Sequence, residues 1–210
     1  MKKEFLISDF MNKFLEKEKA SEKFEEIVGA FSQVNREIYL GDVEPEGASN
    51  IELIIRFWNQ YDEERNIPRE EREPIKIYID SNGGYLTSAF TIINAIEFSK
   101  TPVWTINAGA AYSAGFFIFI AGHRRLAYPL SSFLFHEGST GGEGRIDAHK
   151  FRNQADFYNK QLVQLKEHTL KYTKFSEEDY QKIQKDDYWL TADEAVEQGV
   201  ADEIIREFMF

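Results

Sequence analysis

The candidate nucleophile of this chain is Ser113, the only residue with an aliphatic hydroxyl within the segment of small residues at 108–115. An apolar, β-branched segment at 103–106 precedes it and is typical of a buried strand, whereas the apolar segment at 116–121 is typical of a short buried helix. A serine at the start of such a helix lies near unpaired N–H groups and the positive end of the helix dipole. Ser113 could therefore work beside a site that holds an oxyanion, or it could only cap the helix.

A nucleophilic serine needs a general base within hydrogen-bond reach. Of the four histidines, His136 is the best placed, because it ends an apolar strand and opens a glycine-rich loop. The alternative for His136 is a histidine at the edge of the core that is satisfied by backbone groups. His123 lies in a basic turn, and His149 and His168 lie on a long helix among charged neighbours, where a solvated role is favoured.

An acidic pair and a glycine pair complete the set of candidates. Asp186 and Asp187 precede Tyr-Trp-Leu and could orient the base, although such a pair is ordinarily a solvated turn or a helix cap. Gly83 and Gly84 follow a strand, and their N–H groups suit either a phosphate or half of an oxyanion hole. No Gly-Lys-Ser/Thr follows, so a Walker phosphate loop is excluded, and the G-x-G-x-x-G pattern does not match.

The order of these candidates along the chain separates them from the familiar serine hydrolases. The order here is Ser113, His136, Asp187, whereas α/β-hydrolases run Ser-Asp-His, chymotrypsin-like enzymes His-Asp-Ser and subtilisins Asp-His-Ser. The segment around Ser113 also lacks the first glycine of a nucleophile elbow. None of those three families is therefore indicated.

Alternating strands and helices position the candidates. The pattern predicts an α/β fold with right-handed crossovers and a largely parallel sheet. Strands are predicted at residues 37–40, 75–79, 103–106, 126–128, 133–135 and 200–205. Helices are predicted over residues 51–58, 86–96, 116–121 and 146–172.

Local signals fix several boundaries. Asn50 is a plausible N-cap of the first of those helices. Ser176 with Asp179 and Thr191 with Glu194 each match a capping box that opens a short helix. Two further expectations are that Gly199 takes the C′ position of the second short helix and that the mixed-charge run at 62–73 is a solvated loop or helix end.

Bulk composition excludes several classes of function. The 210 residues suit one domain, with a helical extension at residues 1–36 preceding a body at 37–210. The absence of cysteine excludes disulfides and cysteine-based zinc sites, and the net charge of −11 argues against binding to nucleic acid or to anionic membranes. No segment has the character of a signal peptide or a membrane span, so a cytoplasmic location is expected. The extension could pack on the body, or contact partner subunits and gate an entrance.

Four motifs in one order resemble the proteolytic subunit of the Clp protease, the ClpP family, over about residues 38–205. Tyr78-Ile-Asp-Ser-Asn-Gly-Gly84 resembles its Tyr-Ile-Asn-Ser-Pro-Gly-Gly, and Ala111-Tyr-Ser-Ala-Gly115 resembles its Ala-Ala-Ser-Met-Gly. Phe135-His136 resembles its Ile-His, which a glycine-rich loop follows. Asp187-Tyr-Trp-Leu-Thr-Ala resembles its Asp-Arg-Phe-Leu-Ser-Ala.

The resemblance implies a serine peptidase with the stacked β-α-β units of the ClpP/crotonase fold. It implies Ser113 as nucleophile, His136 as base, Asp187 rather than Asp186 as orienting acid, and an oxyanion hole from the backbone N–H groups of Gly84 and Ala114. The helix at about 146–172 would be the projecting handle that joins two rings. Family members form stacked heptamers that degrade peptides or unfolded proteins, and they need no metal or cofactor of their own, since ATP acts through a partner AAA+ unfoldase.

Departures from the family pattern keep two other functions open. Glu137 and Gly138 replace Gln-Pro beside His136, and a nearby carboxylate would favour the protonated imidazole, which would slow base catalysis at neutral pH. Because the fold is shared with crotonases, one alternative is an enzyme acting on acyl-CoA through a backbone oxyanion hole. The other is a catalytically silent ring or scaffold subunit.

Overall fold

The central strand of the sheet is longer than the strand predicted at 103–106. β3 (Val103–Tyr112) pairs in parallel with β2 (Ile75–Ser81), β4 (Arg124–Ala127) and β5 (Ser132–Phe135). The computed structural model describes residues 35–138 and 147–207. The strand predicted at 103–106 is only the first part of β3, because the small residues that follow carry little strand signal although they continue the ladder.

The sheet is largely parallel, as predicted. The strand order is β1-β2-β3-β4-β7, with β1 (Glu37–Leu40) at one edge and β7 (Glu203–Ile204) at the other. β5 branches from the end of β3 and pairs antiparallel with β6 (Tyr188–Thr191). The strand predicted at 200–205 is reduced to β7, because the N–H groups of Val200 and Ala201 both donate to the Ala195 carbonyl and close a turn instead.

Three helices cover the sheet beside the candidate residues. They are α1 (Pro45–Glu64), α2 (Leu86–Glu97) and α3 (Ala114–Ile120). The prediction of Asn50 as N-cap was wrong: α1 begins at Pro45, since proline suits the first helical position, and Glu44 is the N-cap residue. A short 3₁₀ turn (Arg69–Glu71) separates α1 from β2.

The long helix predicted at 146–172 is α4 (Ala148–Tyr172), and Ile146 lies outside the described residues. Between His149 and Gln164 none of its side chains is buried, whereas Leu165 and Thr169 are. The first half of α4 is thus mostly exposed, and its role as a handle stays a prediction.

Two short helices complete the C-terminal part, α5 (Glu177–Ile183) and α6 (Ala192–Glu197). Both predicted capping boxes are present, and Gly199 follows α6 with φ +69°, as a C′ glycine does. No helix in the described ranges, 35–138 and 147–207, combines the length and the apolar character needed to cross a membrane.

The mixed-charge run at 62–73 is not wholly solvated, because Asp62 is completely buried. Both carboxylate oxygens of Asp62 accept hydrogen bonds from Arg36, at 2.8 and 2.6 Å, and Thr101 adds a third at 2.7 Å. The guanidinium of Arg36 lies 4.2 Å from the centre of the Trp58 ring. Burial acts to raise the pKa of Asp62, but the hydrogen bonds from Arg36 and Thr101 and the charge of Arg36 hold it below its usual range.

The described residues from Arg36 onward form one compact unit. The helical extension predicted for residues 1–36 lies, up to residue 34, outside the described residues and stays a prediction.

Candidate active site

Ser113 stands at the junction between β3 and α3 in an unusual backbone conformation. Its φ of 52° and ψ of −120° are rare for a residue other than glycine, and such conformations cost about 1–3 kcal/mol. The Ser113 N–H donates to the Leu134 carbonyl at 2.9 Å, which ties the junction to β5. Ser113 occupies the N-cap position of α3, but its side chain makes no capping hydrogen bond. The interpretation of Ser113 as a simple cap is therefore wrong, and its hydroxyl is left for another role.

Gly83 lies directly against Ser113. A Cβ atom on Gly83, whose φ is +109°, would lie 2.7 Å from the Ser113 Cβ and 3.2 Å from its hydroxyl oxygen. On the other side, the Gly83 carbonyl accepts from the Val43 N–H at 2.7 Å, and a Cβ on Gly84 would lie 2.5 Å from the Val43 carbonyl oxygen. The turn is thus held between Val43 and Ser113, and only glycine fits where it meets the serine.

The two predicted oxyanion donors lie next to this contact in the chain. Ala114 begins α3, where the first N–H groups of a helix have no acceptor within the helix. Within residues 35–138 and 147–207, no backbone carbonyl accepts from the N–H of Gly84 or Ala114. Both groups are therefore available to a ligand, and their role as an oxyanion hole stays a prediction.

Ser81 stabilises the turn at Gly83 and Gly84 through a hydrogen bond. It was not among the predicted site residues. It is fully buried, and its hydroxyl accepts a hydrogen bond from the Gly83 N–H at 3.1 Å. A Cβ on Gly115 would lie 3.1 Å from the Ser81 Cβ, so Ser81 also contacts the first turn of α3. A serine two residues before a glycine is the signal for such a side-chain turn, and it was available in the sequence.

His136 and Asp187 meet where β5 ends and β6 begins. The antiparallel register pairs Leu134 with Trp189 and Phe135 with Tyr188, and its continuation places His136 opposite Asp187. The His136 Nδ1 atom lies 3.6 Å from Asp187 Oδ1, which is ion-pair distance but longer than a hydrogen bond. No described residue forms an ion pair with Asp186, so Asp187 is the member of the acidic pair that reaches the histidine.

The sheet orders the three predicted catalytic residues across neighbouring strands. Tyr112 pairs with Leu134 in the parallel β3–β5 ladder, so Ser113 and His136 both follow the carboxyl ends of adjacent strands. β6 then brings Asp187 to the far side of β5. Among the residues that the structure describes, none is hydrogen-bonded to the Ser113 hydroxyl; catalytic hydrogen bonds are often long before substrate binds.

The Glu137 carboxylate contacts a tyrosine instead of the histidine beside it. It accepts a hydrogen bond from the Tyr180 hydroxyl at 3.2 Å, and the Glu137 backbone carbonyl accepts one from the Tyr158 hydroxyl at 2.6 Å. Burial and then the charge of Glu137 raise the pKa of both tyrosines. Among the described residues, the carboxylate at ion-pair distance from His136 is therefore that of Asp187, and the expected effect of Glu137 on the imidazole stays a prediction.

The remaining histidines lie outside this site. His168 is not solvated as predicted: its side chain is only 10% exposed, Nε2 lies 3.0 Å from the Phe117 carbonyl oxygen, and Nδ1 lies 3.5 Å from Glu97. The C-terminal half of α4, which carries His168, packs on α3, and this contact buries the His168 side chain. His123 accepts from the Val103 N–H at 2.9 Å, and burial lowers its pKa, whereas His149 is exposed as predicted.

Metal ligands do not cluster in the part of the chain that the structure describes: no three His, Asp or Glu side chains there could hold an ion. The expectation that the subunit needs no cofactor of its own is not tested by this geometry and stays a prediction.

Comparison with known proteins agrees with the four motifs. A family model described as Clp protease matches residues 67–208. The ATP-dependent Clp protease proteolytic subunit 3 of Synechococcus sp. (strain CC9605) is 32% identical over 178 residues, which cover 82% of this chain and 83% of the relative. A relative of the same name from Rhizobium etli is 32% identical over 139 residues, covering 63% of this chain and 69% of the relative.

A solved structure extends the likeness to the fold. A ClpP1 point mutant from Listeria monocytogenes superposes with a TM-score of 0.72, at 22% identity, over 86% of this chain and 96% of that one. The fold expected from the resemblance is therefore confirmed. The chain belongs to the Clp protease family.

Proposed function

We propose that this protein is a serine peptidase in which Ser113 is the nucleophile, His136 the general base and Asp187 the orienting acid. The observation that carries the proposal is the approach of Asp187 to His136 Nδ1 at 3.6 Å, at the end of the strand next to that of Ser113. Three side chains from distant parts of the sequence are thereby brought to one end of the sheet. The relatives described above are named proteolytic subunits, which supports the same assignment.

The position of the acid defines the role of each imidazole nitrogen. Because Nδ1 of His136 faces Asp187, Nε2 is the atom left to accept the Ser113 proton. The Ser113 oxygen then bonds to the peptide carbonyl carbon, and the protonated His136 returns the proton to the leaving amine as the peptide bond breaks. His136 then takes a proton from water as the water oxygen bonds to the acyl carbon, and it returns that proton to the Ser113 oxygen as the ester bond breaks and the carboxylic acid product leaves.

The turn at Gly83 and Gly84 and the start of α3 would hold the charge that develops. In the tetrahedral intermediate the carbonyl oxygen becomes an oxyanion, and we assign its stabilisation to the N–H groups of Gly84 and Ala114. Losing one such donor typically costs about 10²–10³-fold in kcat. Because both donors are backbone groups, alanine in place of methionine at position 114 does not remove one.

Assembly and partners form the second part of the proposal. We propose stacked heptameric rings of this chain, with α4 as the handle between rings, and an AAA+ unfoldase that supplies unfolded protein at the expense of ATP in the cytoplasm. The exposed apolar side chains of Phe151, Phe157 and Val163 along α4 support a contact between copies. Sedimentation velocity of the full chain tests the assembly, and an assembly other than stacked rings contradicts it.

Labelling with a fluorophosphonate tests the chemistry. Intact-mass analysis should show one adduct per chain, peptide mapping should place it on Ser113, and the Ser113→Ala variant should show neither adduct nor peptide turnover while assembling normally. Retained turnover by a clean Ser113→Ala preparation would overturn the assignment. Thioester hydrolysis without labelling would favour the acyl-CoA enzyme, and normal assembly without labelling or turnover would favour the silent subunit.

A further inference from the structure

Two tyrosine hydroxyls hold the residue that directly follows the proposed base. The Glu137 backbone carbonyl accepts a hydrogen bond from Tyr158 on α4 at 2.6 Å, and its carboxylate accepts one from Tyr180 on α5 at 3.2 Å. One residue is thereby held at its main chain and at its side chain, by two different helices. We call Glu137, Tyr158 and Tyr180 the tyrosine anchor.

Tyr180 is packed in the core, so it is a fixed point for the anchor. It is only 1% exposed, and its ring is in edge-to-face contact with that of Phe135, with centroids 5.4 Å apart. Phe135 is fully buried at the end of β5, immediately before His136. Tyr180 therefore contacts the residues on both sides of His136, Phe135 through its ring and Glu137 through its hydroxyl.

The backbone beyond the anchor has a conformation that proline cannot adopt. Gly138 is exposed and has a φ of +78°, whereas the ring of proline fixes φ near about −65°. The family pattern described above has Gln-Pro where this chain has Glu137 and Gly138. Proline stiffens a chain through its own ring, but glycine leaves the chain free, so this sequence needs another restraint beside His136.

The acid beside the base does not supply that restraint alone. Asp187 lies 3.6 Å from His136 Nδ1, which is longer than a hydrogen bond, and a third of the His136 side chain is exposed. The place of the imidazole therefore depends on how firmly its backbone is held. A displacement of about 1 Å at a reacting group can cost about 10²-fold in rate.

We propose that the tyrosine anchor positions the His136 imidazole for proton transfer, in place of the proline of the family pattern. This inference rests on the proposed function, since it names further residues of that same site. Tyr158 and Tyr180 are positioning residues, because their hydroxyls are bonded to Glu137 and act through the backbone that carries the base.

Removing the hydroxyls one at a time tests the anchor while keeping both rings. Tyr158→Phe and Tyr180→Phe should each lower kcat for a fluorogenic peptide, and the rate constant for fluorophosphonate labelling of Ser113, about tenfold, with KM unchanged. Labelling should still reach one adduct per chain, because a misplaced base slows the reaction whereas a misfolded protein lowers the end point. Glu137→Ala should match Tyr180→Phe, and Glu137→Gln, whose amide oxygen still accepts from Tyr180, should restore the rate.

Tyr172→Phe is the matched control. The Tyr172 hydroxyl also donates to a carboxylate, that of Glu97 at 2.8 Å, and this pair lies outside the candidate site. Tyr172→Phe should therefore label at the parental rate. Hydrogen–deuterium exchange gives a second measurement that needs no activity: residues 136–138 should exchange faster in Tyr158→Phe and Tyr180→Phe than in the parent protein.

Three outcomes overturn the inference. They are parental labelling rates in both variants that lack an anchor hydroxyl, an equal loss of rate in Tyr172→Phe, and unchanged exchange of residues 136–138. Failure of the proposed function is read separately, from a parent protein that gives no fluorophosphonate adduct on Ser113, and the exchange measurement still decides whether the anchor holds this segment.

Discussion

The His136 Nδ1 atom and Asp187 Oδ1 lie 3.6 Å apart, which is within ion-pair distance but longer than a hydrogen bond. More than half of the Asp187 side chain is exposed to solvent, as is a third of the His136 side chain. In the proposed mechanism Asp187 orients the His136 imidazole, and a small closing movement would complete the hydrogen bond when substrate excludes water.

Replacing Asp187 tests that arrangement against its neighbour in the chain. Asp187→Asn should lower kcat/KM for a fluorogenic peptide on the order of 10³-fold, because the imidazole loses the acid that orients it and stabilises its charged form. Asp186→Asn is the matched control and should stay within about twofold, since Asp186 lies in no ion pair among the described residues. The reverse ranking of the two variants would contradict the assignment of the acid.

Replacing Gly83 tests the close contact with the serine. Gly83→Ala should abolish labelling of Ser113, because the new Cβ would lie 2.7 Å from the Ser113 Cβ and the φ of +109° is strained for alanine. Gly47→Ala is the control: nothing lies within 4 Å of its new Cβ, and alanine in α1 should stabilise the protein by up to about 1 kcal/mol. Thermal melts and labelling rates of both variants provide the measurement. Full labelling of Gly83→Ala would show that the backbone does not confine the nucleophile.

The buried pair of Arg36 and Asp62 makes stability depend on acid. Because the folded-state pKa of Asp62 is lowered, its contribution is present above the unfolded pKa of about 3.9 and is lost as pH falls through the folded pKa. Asp62→Asn leaves Arg36 buried without its charge partner and should cost about 3–5 kcal/mol at pH 7. Urea unfolding from pH 7 to pH 3 measures both effects, and the variant should show the flatter pH dependence.

His168 should make the protein less stable in mild acid. Burial lowers the pKa of His168, although the Phe117 carbonyl and Glu97 oppose this, so the unfolded chain binds the proton more readily. Stability is then lost as pH falls from about 6.5 through the folded pKa. His168→Gln should flatten the curve of Tm against pH between 7.5 and 5, while His149→Gln, on the exposed part of the same helix, should leave it unchanged. His123, whose pKa is also lowered by burial, should contribute to the slope that remains.

Strand and helix types were predictable where one physical signal dominated. The alternation of apolar and polar residues predicted β2, and the helical spacing of apolar residues predicted α2. The two capping boxes predicted where α5 and α6 begin. Some errors arose where tertiary contacts override local signals, whereas the wrong start of α1 arose from a local signal, Pro45, that was overlooked. Asp62 reads as part of a charged surface run, yet Arg36, far away in the sequence, pairs with it in the core.

The candidate site was predictable in its residue types but not in its supports. Ser113, His136 and Asp187 could be named from the motifs, whereas their spatial order depends on β5 branching from β3, which local sequence does not encode. The φ of Ser113 likewise depends on packing between distant segments, whereas the Ser81–Gly83 turn is local and its signal was present in the sequence. The hydrogen bond between Glu137 and Tyr180 joins residues that are 43 positions apart, so no local sequence pattern predicts it.

The antiparallel pairing of β6 with β5 has a consequence for the nascent chain, because β6 is synthesised after the other strands of the candidate site. A growing chain carries Ser113 and His136 before it carries Asp187, which is 51 residues after His136. Until β6 has been synthesised and has paired with β5, Asp187 is not in place beside the His136 imidazole. If the proposed mechanism holds, the nascent chain would therefore be inactive until β6 has been synthesised and has paired with β5.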